Sequence, residues 1–212
     1  LRLGVGVGKS YLDQDLSFAG ESDLDGEYII AEVDYALEGL PLLASLTGMY
    51  GEWDADVTRG YLNAGVLDAS FGDTDITAWA VRGRLDWVNA FQYSDIHFTP
   101  RVAYTVSRVD VDGYTESGGG FPVRFNSREL TSHEARYGIE GEVQVADATW
   151  VRGMVEGVHR FDDDEPVLSG QVLGLFSFAL DGRGNQSNWA RVGAEVEHHF
   201  TPDLQVSASV HG

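Results

Sequence analysis

The sequence predicts an all-β fold, an antiparallel up-and-down transmembrane β-barrel, from three observations. Apolar and polar residues alternate along nine segments, and short connections alternate with long polar ones. Several of the segments exceed ten residues, whereas soluble strands cluster near ~5–6 residues. A strand sends successive side chains to opposite faces, so this alternation separates hydrocarbon from charge.

The segments follow in order. Leu1, Leu3, Val5 and Val7 alternate with Arg2, Gly4, Gly6 and Gly8. Ile29, Ala31, Val33, Tyr35 and Leu37 oppose Glu32 and Asp34, and Leu42, Ala44, Leu46, Gly48 and Tyr50 oppose Ser45, Thr47 and Met49. The clearest stretch runs from Thr77 to Phe91: Trp79, Val81, Leu85, Trp87 and Phe91 against Arg82, Arg84 and Asp86. Phe98, Pro100, Val102, Tyr104 and Val106 then oppose Thr99, Arg101, Thr105 and Ser107. Tyr137, Ile139, Val143 and Val145 face away from Arg136, Glu140, Glu142 and Gln144. Val151, Val155 and Phe161 oppose Arg152, Glu156 and Arg160. The last two segments set Ala190, Val192, Ala194, Val196 and Phe200 against Arg191, Glu195 and Glu197, and Leu204, Val206, Ala208 and Val210 against Gln205, Ser207 and Ser209. Short turns fall around Gly39, at 93–95, at Asp147 and at 201–203. Long polar loops are expected at 11–25, 54–74, 113–131 and 162–186, the side a membrane barrel turns outward.

Composition excludes several functions. Acidic residues number 34 against 14 basic ones, a formal charge of −20 that repels phosphate backbones, so no nucleic acid is a partner. Cysteine is absent, which removes disulfides, zinc–thiolate clusters and thiol nucleophiles. No apolar run approaches the ~18 residues of a membrane helix. Gly8-Lys9-Ser10 resembles the tail of a phosphate loop, but Leu3 stands where that motif needs its first glycine. His198 and His199 point to opposite faces of a strand, and no G-x-S-x-G elbow occurs. The acidic excess lies in the expected loops, including the run Asp162-Asp163-Asp164-Glu165. Hard cations could bridge such carboxylates to lipopolysaccharide, yet no calcium-loop spacing is present and no metal is assigned. No nucleophile, acid–base pair or cofactor box stands out, so the chain reads as a non-enzyme without a cofactor.

The two faces then carry the function. A lipid-facing wall is apolar at mid-height and aromatic at both rims. With long loops outward, Tyr35, Trp87, Phe91, Phe98 and Phe200 fall near one rim and Tyr50, Trp79, Tyr137 and Phe161 near the other. The opposite face lines the lumen with Arg82, Arg84, Asp86, Arg101, Arg136, Glu140, Glu142, Arg152, Glu156, Arg191 and Glu195. Such a wall reads first as a charge ladder in a wet bore, and otherwise as a sleeve for a separate segment or a passing chain. A soluble sandwich also alternates, but strand length and mid-strand charge favour the barrel.

The order of segments resembles the C-terminal translocator domain of type V autotransporters. The resemblance is carried by LRLGVGVGKS (1–10), DGEYIIAEVDYAL (25–37), LLASLTGMYGEWDADVTRGY (42–61), HFTPRVAYTVSRVDVDGYTE (97–116), ARYGIEGEVQV (135–145) and NWARVGAEVEHHFTPDLQVSASVHG (188–212). Asp112-Gly113-Tyr114-Thr115-Glu116 is similar to a stretch in members with esterase passengers. The resemblance implies a 12-stranded barrel in the Gram-negative outer membrane that delivers an N-terminal passenger. Its partners would be outer-membrane lipid and lipopolysaccharide, the BAM assembly machinery, the passenger and a lumenal helix. Residues 1–212 are then one incomplete translocator domain, about nine strands corresponding to strands three to eleven. The N-terminal helix, the first strands and the last strand would be missing, and an odd strand count would leave the two ends of the chain on opposite sides. The alternatives are a passive outer-membrane channel or an adhesin-like barrel without a passenger, or a secreted sandwich.

Overall fold

The computed structural model describes residues 1–162, 167–182, 184, 186–201 and 204–212. Most of the acidic run that begins at Asp162, and the turn expected around Asp203, therefore lie outside the described residues. The strands are β1 (Arg2–Leu16), β2 (Gly20–Ala36), β3 (Leu42–Asn63), β4 (Val66–Trp87), β5 (Phe91–Tyr93), β6 (Ile96–Val111) and β7 (Val123–Phe125). They continue with β8 (Arg128–Ala146), β9 (Thr149–Arg160), β10 (Val167–Val172), β11 (Phe176–Asp181), β12 (Asn188–Thr201) and β13 (Leu204–His211).

Nine of these form one antiparallel path, β1-β2-β3-β4-β6-β8-β9-β12-β13, with β5 paired to β6. The nine correspond to the nine alternating segments. Consecutive strands pair in order along this curled half-barrel, the up-and-down connectivity that short hairpins dictate. A separate three-stranded sheet, β11-β10-β7, is built from the two last long connections.

Three expectations are corrected. Residues 11–25 and 54–74 are not loops: β1 and β2 stay paired out to Leu16↔Gly20, and β3 and β4 out to Asn63↔Val66. The face that is apolar in the inner halves of these strands turns acidic there, as in the rung Asp13–Asp23–Asp56–Asp73, so the pattern of the inner halves stops while the backbone ladder needs only partners in register. The turn at Ala64-Gly65, both at positive φ (51° and 85°), closes the β3–β4 hairpin with two residues, the left-handed geometry that matches strand twist. The expected loops at 113–131 and 162–186 contain β7, β10, β11 and the start of β8. Phe91 does not continue the fourth segment: β4 ends at Trp87, and Phe91 sits on β5, stacked on Phe98 with centroids 5.0 Å apart.

The described residues form no conventional core. The buried hydrophobic residues are Ala55, Ala103, Val123 and Val158 alone among the described residues. Val5, Tyr137, Val155 and Phe200 are all more than half exposed. Apolar side chains of neighbouring strands share register, so they form one continuous oily surface rather than scattered residues. Monomeric soluble proteins rarely expose an apolar patch beyond about 300–600 Å². Among the described residues no second sheet covers this surface as a sandwich would require.

Candidate functional site: two faces of one sheet

Register places Arg82, Arg84, Asp86, Arg101, Arg136, Glu140, Glu142, Arg152, Glu156, Arg191 and Glu195 on one face of the sheet. Cross-strand register shows why their charges meet. Asp86 is opposite Arg101, Glu156 opposite Arg191, and Arg152 lies between Glu142 and Glu195. Arg152 donates to Glu142 (2.5 Å), Glu195 (3.0 Å) and Glu197 (2.7 Å), so one guanidinium serves carboxylates on both neighbouring strands. Arg101 bridges Asp86 and Glu140. Arg84 Nε lies 2.9 Å from Asp86, and Arg191 lies 3.5 Å from the buried Glu156. Arg136 reaches Glu134 at 3.0 Å, and Arg160 reaches the same carboxylate at 2.8 Å. Glu134 was not among the expected residues although it lies well inside β8, and its spacing of two from Arg136 puts both on one face. At the β1 end Arg2 Nε donates to Asp34 (2.8 Å), which also accepts from Ser45 (2.5 Å).

The opposite face carries Tyr35, Tyr50, Trp79, Trp87, Phe91, Phe98 and Tyr137. Tyr50 and Trp79 are register partners, as are Phe91 and Phe98. Tyr35 heads a rung that continues through Ala44, Leu85 and Val102 to Tyr137. From Leu42 to Tyr50 the strand rises roughly 27 Å at ~3.4 Å per residue, or about 21 Å of height at a ~40° tilt, near the ~25 Å belt of outer-membrane barrels. Beyond Tyr50 the same face turns acidic. The next rungs are Lys9–Glu27–Glu52–Thr77, Tyr11–Asp25–Asp54–Asp75 and Asp13–Asp23–Asp56–Asp73. Hydrocarbon thus ends within one rung of the aromatic pair. Where Asp54 shares a hydrogen bond with Asp75, the Asp75 carboxyl is raised above its ordinary value.

The ends of the strands far from the short turns carry a fixed assembly that the sequence did not disclose. Glu116, in the β6–β8 connection, is buried and accepts from Arg59 Nε (2.8 Å), Arg59 Nη2 (2.7 Å) and the Val123 amide (2.8 Å). Arg59 also donates to the Phe121 carbonyl at 2.6 Å and stacks 4.8 Å over Tyr61. The Asp68 carboxyl is held below the usual range by the Asn63 side chain first, then by the Gly120 and Ala69 amides. Burial pushes the Tyr114 phenol up. Both partners of the Arg59–Glu116 pair stand in segments expected to be loops, and contacts so far apart leave no local periodicity. Gly8, Lys9 and Ser10 lie inside β1. His198 and His199 are on opposite faces, bonded to Thr149 and Glu197 respectively. No group of three His, Asp or Glu side chains converges as a metal site among the described residues.

Comparison with known proteins agrees with this architecture. The model of the family "Autotransporter beta-domain" matches residues 1–211. The "Uncharacterized protein in trpE-trpG intergenic region" of Pseudomonas putida is 35% identical over 157 residues, 67% of this chain and 26% of that protein. Esterase EstA of Pseudomonas aeruginosa is 28% identical over 167 residues, 77% of this chain and 26% of the esterase. The chain therefore spans about a quarter of the length of the curated relatives it matches. The translocator domain of autotransporter NalP from Neisseria meningitidis superposes with a TM-score of 0.67 at 11% identity, over 91% of this chain and 62% of that one.

Proposed function

This chain belongs to the autotransporter beta-domain family, and from that premise we propose that it is the wall through which an N-terminal passenger reaches the surface of a Gram-negative cell. The family is one of outer-membrane transport domains, and its role here is transport rather than catalysis. In this reading the oily face contacts lipid, with the aromatic rungs at its two rims. The ionic face lines a hydrated bore, the short turns lie in the periplasm, and the long strand ends project outside. A rung in a sheet tilted by ~40° climbs roughly 3 Å per strand, so the four steps from Tyr35 to Tyr137 lift it by about 12 Å, half the height of a ~25 Å belt.

The observation that carries the proposal is the unequal chemistry of the two faces of one unlayered sheet. A lipid-facing surface tolerates no charge at mid-height, and the apolar face shows none between Leu42 and Tyr50 or between Trp79 and Trp87. Carboxylates reappear only past the aromatic pair, where lipid headgroups and lipopolysaccharide would lie. The esterase relatives suggest an esterase-type passenger, and the BAM machinery would insert the barrel.

The test is surface display. The parent polypeptide, expressed in a Gram-negative host, should present its passenger to protease added outside intact cells. Deleting residues 1–212 should leave the passenger in the periplasm. A passenger displayed equally well without these residues would overturn the proposal. Steady ion conductance by a barrel whose gene encodes no passenger would show a diffusion channel instead.

A further inference from the structure

The oily face ends unevenly around the wall. Its outer border is set by the rungs Trp79–Arg108–Thr131, Val81–Val106–His133 and Gly83–Tyr104–Ala135–His159–Asn188. Crossing one strand lifts a rung by roughly 3 Å, and each step of one rung toward the short turns lowers it by about 5 Å. Arg108, His133, His159 and Asn188, on β6, β8, β9 and β12, therefore stand within about 3 Å of the height of Trp79. Glu27 and Glu52, one rung outward on β2 and β3, reach the same height on the other side of it. One border of hydrocarbon carries carboxylates along one half and imidazole and amide groups along the other.

The second half is a fixed cluster rather than a scatter. His133 Nδ1 lies 3.0 Å from the Tyr104 hydroxyl, and His159 Nδ1 lies 2.8 Å from Asn188 Oδ1. Phe161 packs edge-on to His159 with centroids 4.6 Å apart, and its ring lies 6.2 Å from that of Tyr104. Both imidazoles spend Nδ1 inside the cluster, and neither Nε2 has a partner among the described residues. Arg108 spends Nε and Nη2 on Asp110 and Glu129, which leaves Nη1. The carboxylates nearby are engaged, Asp110 and Glu129 by Arg108 and Asp162 by the His133 amide. What remains is a set of ring nitrogens and one guanidinium edge beside the exposed rings of Tyr104 and Phe161. Such a set matches hydroxyl groups, which donate and accept at once, and it has no surplus positive charge for a phosphate.

We propose that this cluster binds the sugar headgroup of an outer-leaflet glycolipid, with hydroxyls on His133, His159 and Arg108 Nη1 and one pyranose face on Phe161. This rests on the reading that the oily face meets lipid. Place and chemistry together select the occupant. Directly below the cluster the same face is unbroken exposed hydrocarbon, at Val102, Tyr137 and Val155, and takes the acyl chains of the same molecule. A phospholipid brings a phosphate but no ring of hydroxyls, so a cluster with one cation and two carboxylates discriminates against it. On the other half Glu27 is spent on Lys9 and Glu52 on Tyr50, and no equivalent set of free groups stands there. The glycolipid is therefore held on one side of the wall.

The experiment places a photo-crosslinking amino acid at position 131 of the parent polypeptide in a Gram-negative host, with positions 52 and 81 as comparisons. Lipopolysaccharide should be captured at 131 about fivefold more than at 52, the order expected for one net hydrogen bond. In the 131 protein, His133→Leu combined with His159→Leu should lower the yield about tenfold, as the loss of one to two such bonds requires. Phe161→Leu, which keeps hydrocarbon at the surface, should lower it about threefold and keeps the test valid if the double change fails to fold. Moved into vesicles of dephosphorylated lipopolysaccharide, the unaltered protein should keep its capture at 131. Equal capture at 131 and 52, a yield unchanged in both variants, loss on dephosphorylation, or phospholipid in place of glycolipid at 131 would each overturn the assignment. Absence of any lipid adduct at position 81, on the apolar band, would instead defeat the reading that this face meets lipid, so the two failures are told apart.

Discussion

Arg59 and Glu116 meet across 57 positions of sequence, with Nε and Nη2 at 2.8 and 2.7 Å from the two carboxylate oxygens. The pair ties the β6–β8 connection to the β3–β4 hairpin far from the short turns. Around it, Ser117 and Phe71 exchange backbone hydrogen bonds of 2.8 and 2.9 Å, and Tyr61 accepts from the Phe121 amide. Glu116 is the least exposed partner, and Arg59 stays partly solvated.

Glu116→Ala should therefore loosen the connection without unfolding the sheet. Breaking a buried pair costs about 3–5 kcal/mol, and the exposure of Arg59 reduces this to roughly 2 kcal/mol here. Amide exchange between Tyr114 and Phe125 should speed up more than tenfold while the heat-resistant folded band stays in place. Unaltered exchange in that segment would contradict the clamp.

Asp75 supplies a pH dependence whose sign can be worked out. Its folded-state carboxyl is raised by the hydrogen bond with Asp54, so between the ordinary value of 3.8 and that raised value the folded hairpin binds more protons than the unfolded one. Stability of the outer β3–β4 ends is therefore greatest below this window and falls as pH rises through it. Asp54→Asn should protect amides near Asp54 and Asp75 at pH 7 and flatten the dependence above pH ~4. Exchange that slows with rising pH, after correction for intrinsic rates, would refute this.

Arg152 concentrates three carboxylates on one guanidinium. Arg152→Met should lower stability by about 2–3 kcal/mol, because Glu142, Glu195 and Glu197 are left facing one another. Arg152→Lys should recover less than half, since a single ammonium cannot fork onto both strands. The temperature at which the folded band converts to the unfolded one in gels reads both effects.

Trp53 lies over two glycines of neighbouring positions. A Cβ at Gly26 would come 2.0 Å from Trp53 Cδ1, and one at Gly51 would come 2.4 Å from its Cη2, while Trp53 Nε1 donates to Ser10 at 2.7 Å. Gly26→Ala should cost about 1–3 kcal/mol by overpacking. Combining it with Trp53→Ala should cost less than the sum of the single changes, as measured by urea midpoints of the refolded barrel. Additive costs would mean that the ring and the glycine are not coupled.

Part of this molecule is legible in the chain and part is not. Trp79, Arg82, Arg84, Asp86 and Trp87 are sorted to their faces by parity alone, because a strand has period two whatever its neighbours are. Phe91 was misplaced where a turn interrupted its strand, and Glu134 was passed over although it lies inside β8. The outer halves of β1 to β4 were invisible, since the face that is apolar further in turns acidic there and only backbone pairing carries the strands on. Arg59–Glu116 and the β11-β10-β7 sheet are invisible for a further reason: each is a relation between segments distant in sequence.

The amino-acid order by itself determined which side chains are oily, which are ionic, and that they lie on opposite sides of one strand after another. Only the tertiary structure decided which charge answers which, because register is set by hydrogen bonding between strands remote in sequence. A shift of a single residue would have turned every one of those pairs to the other side.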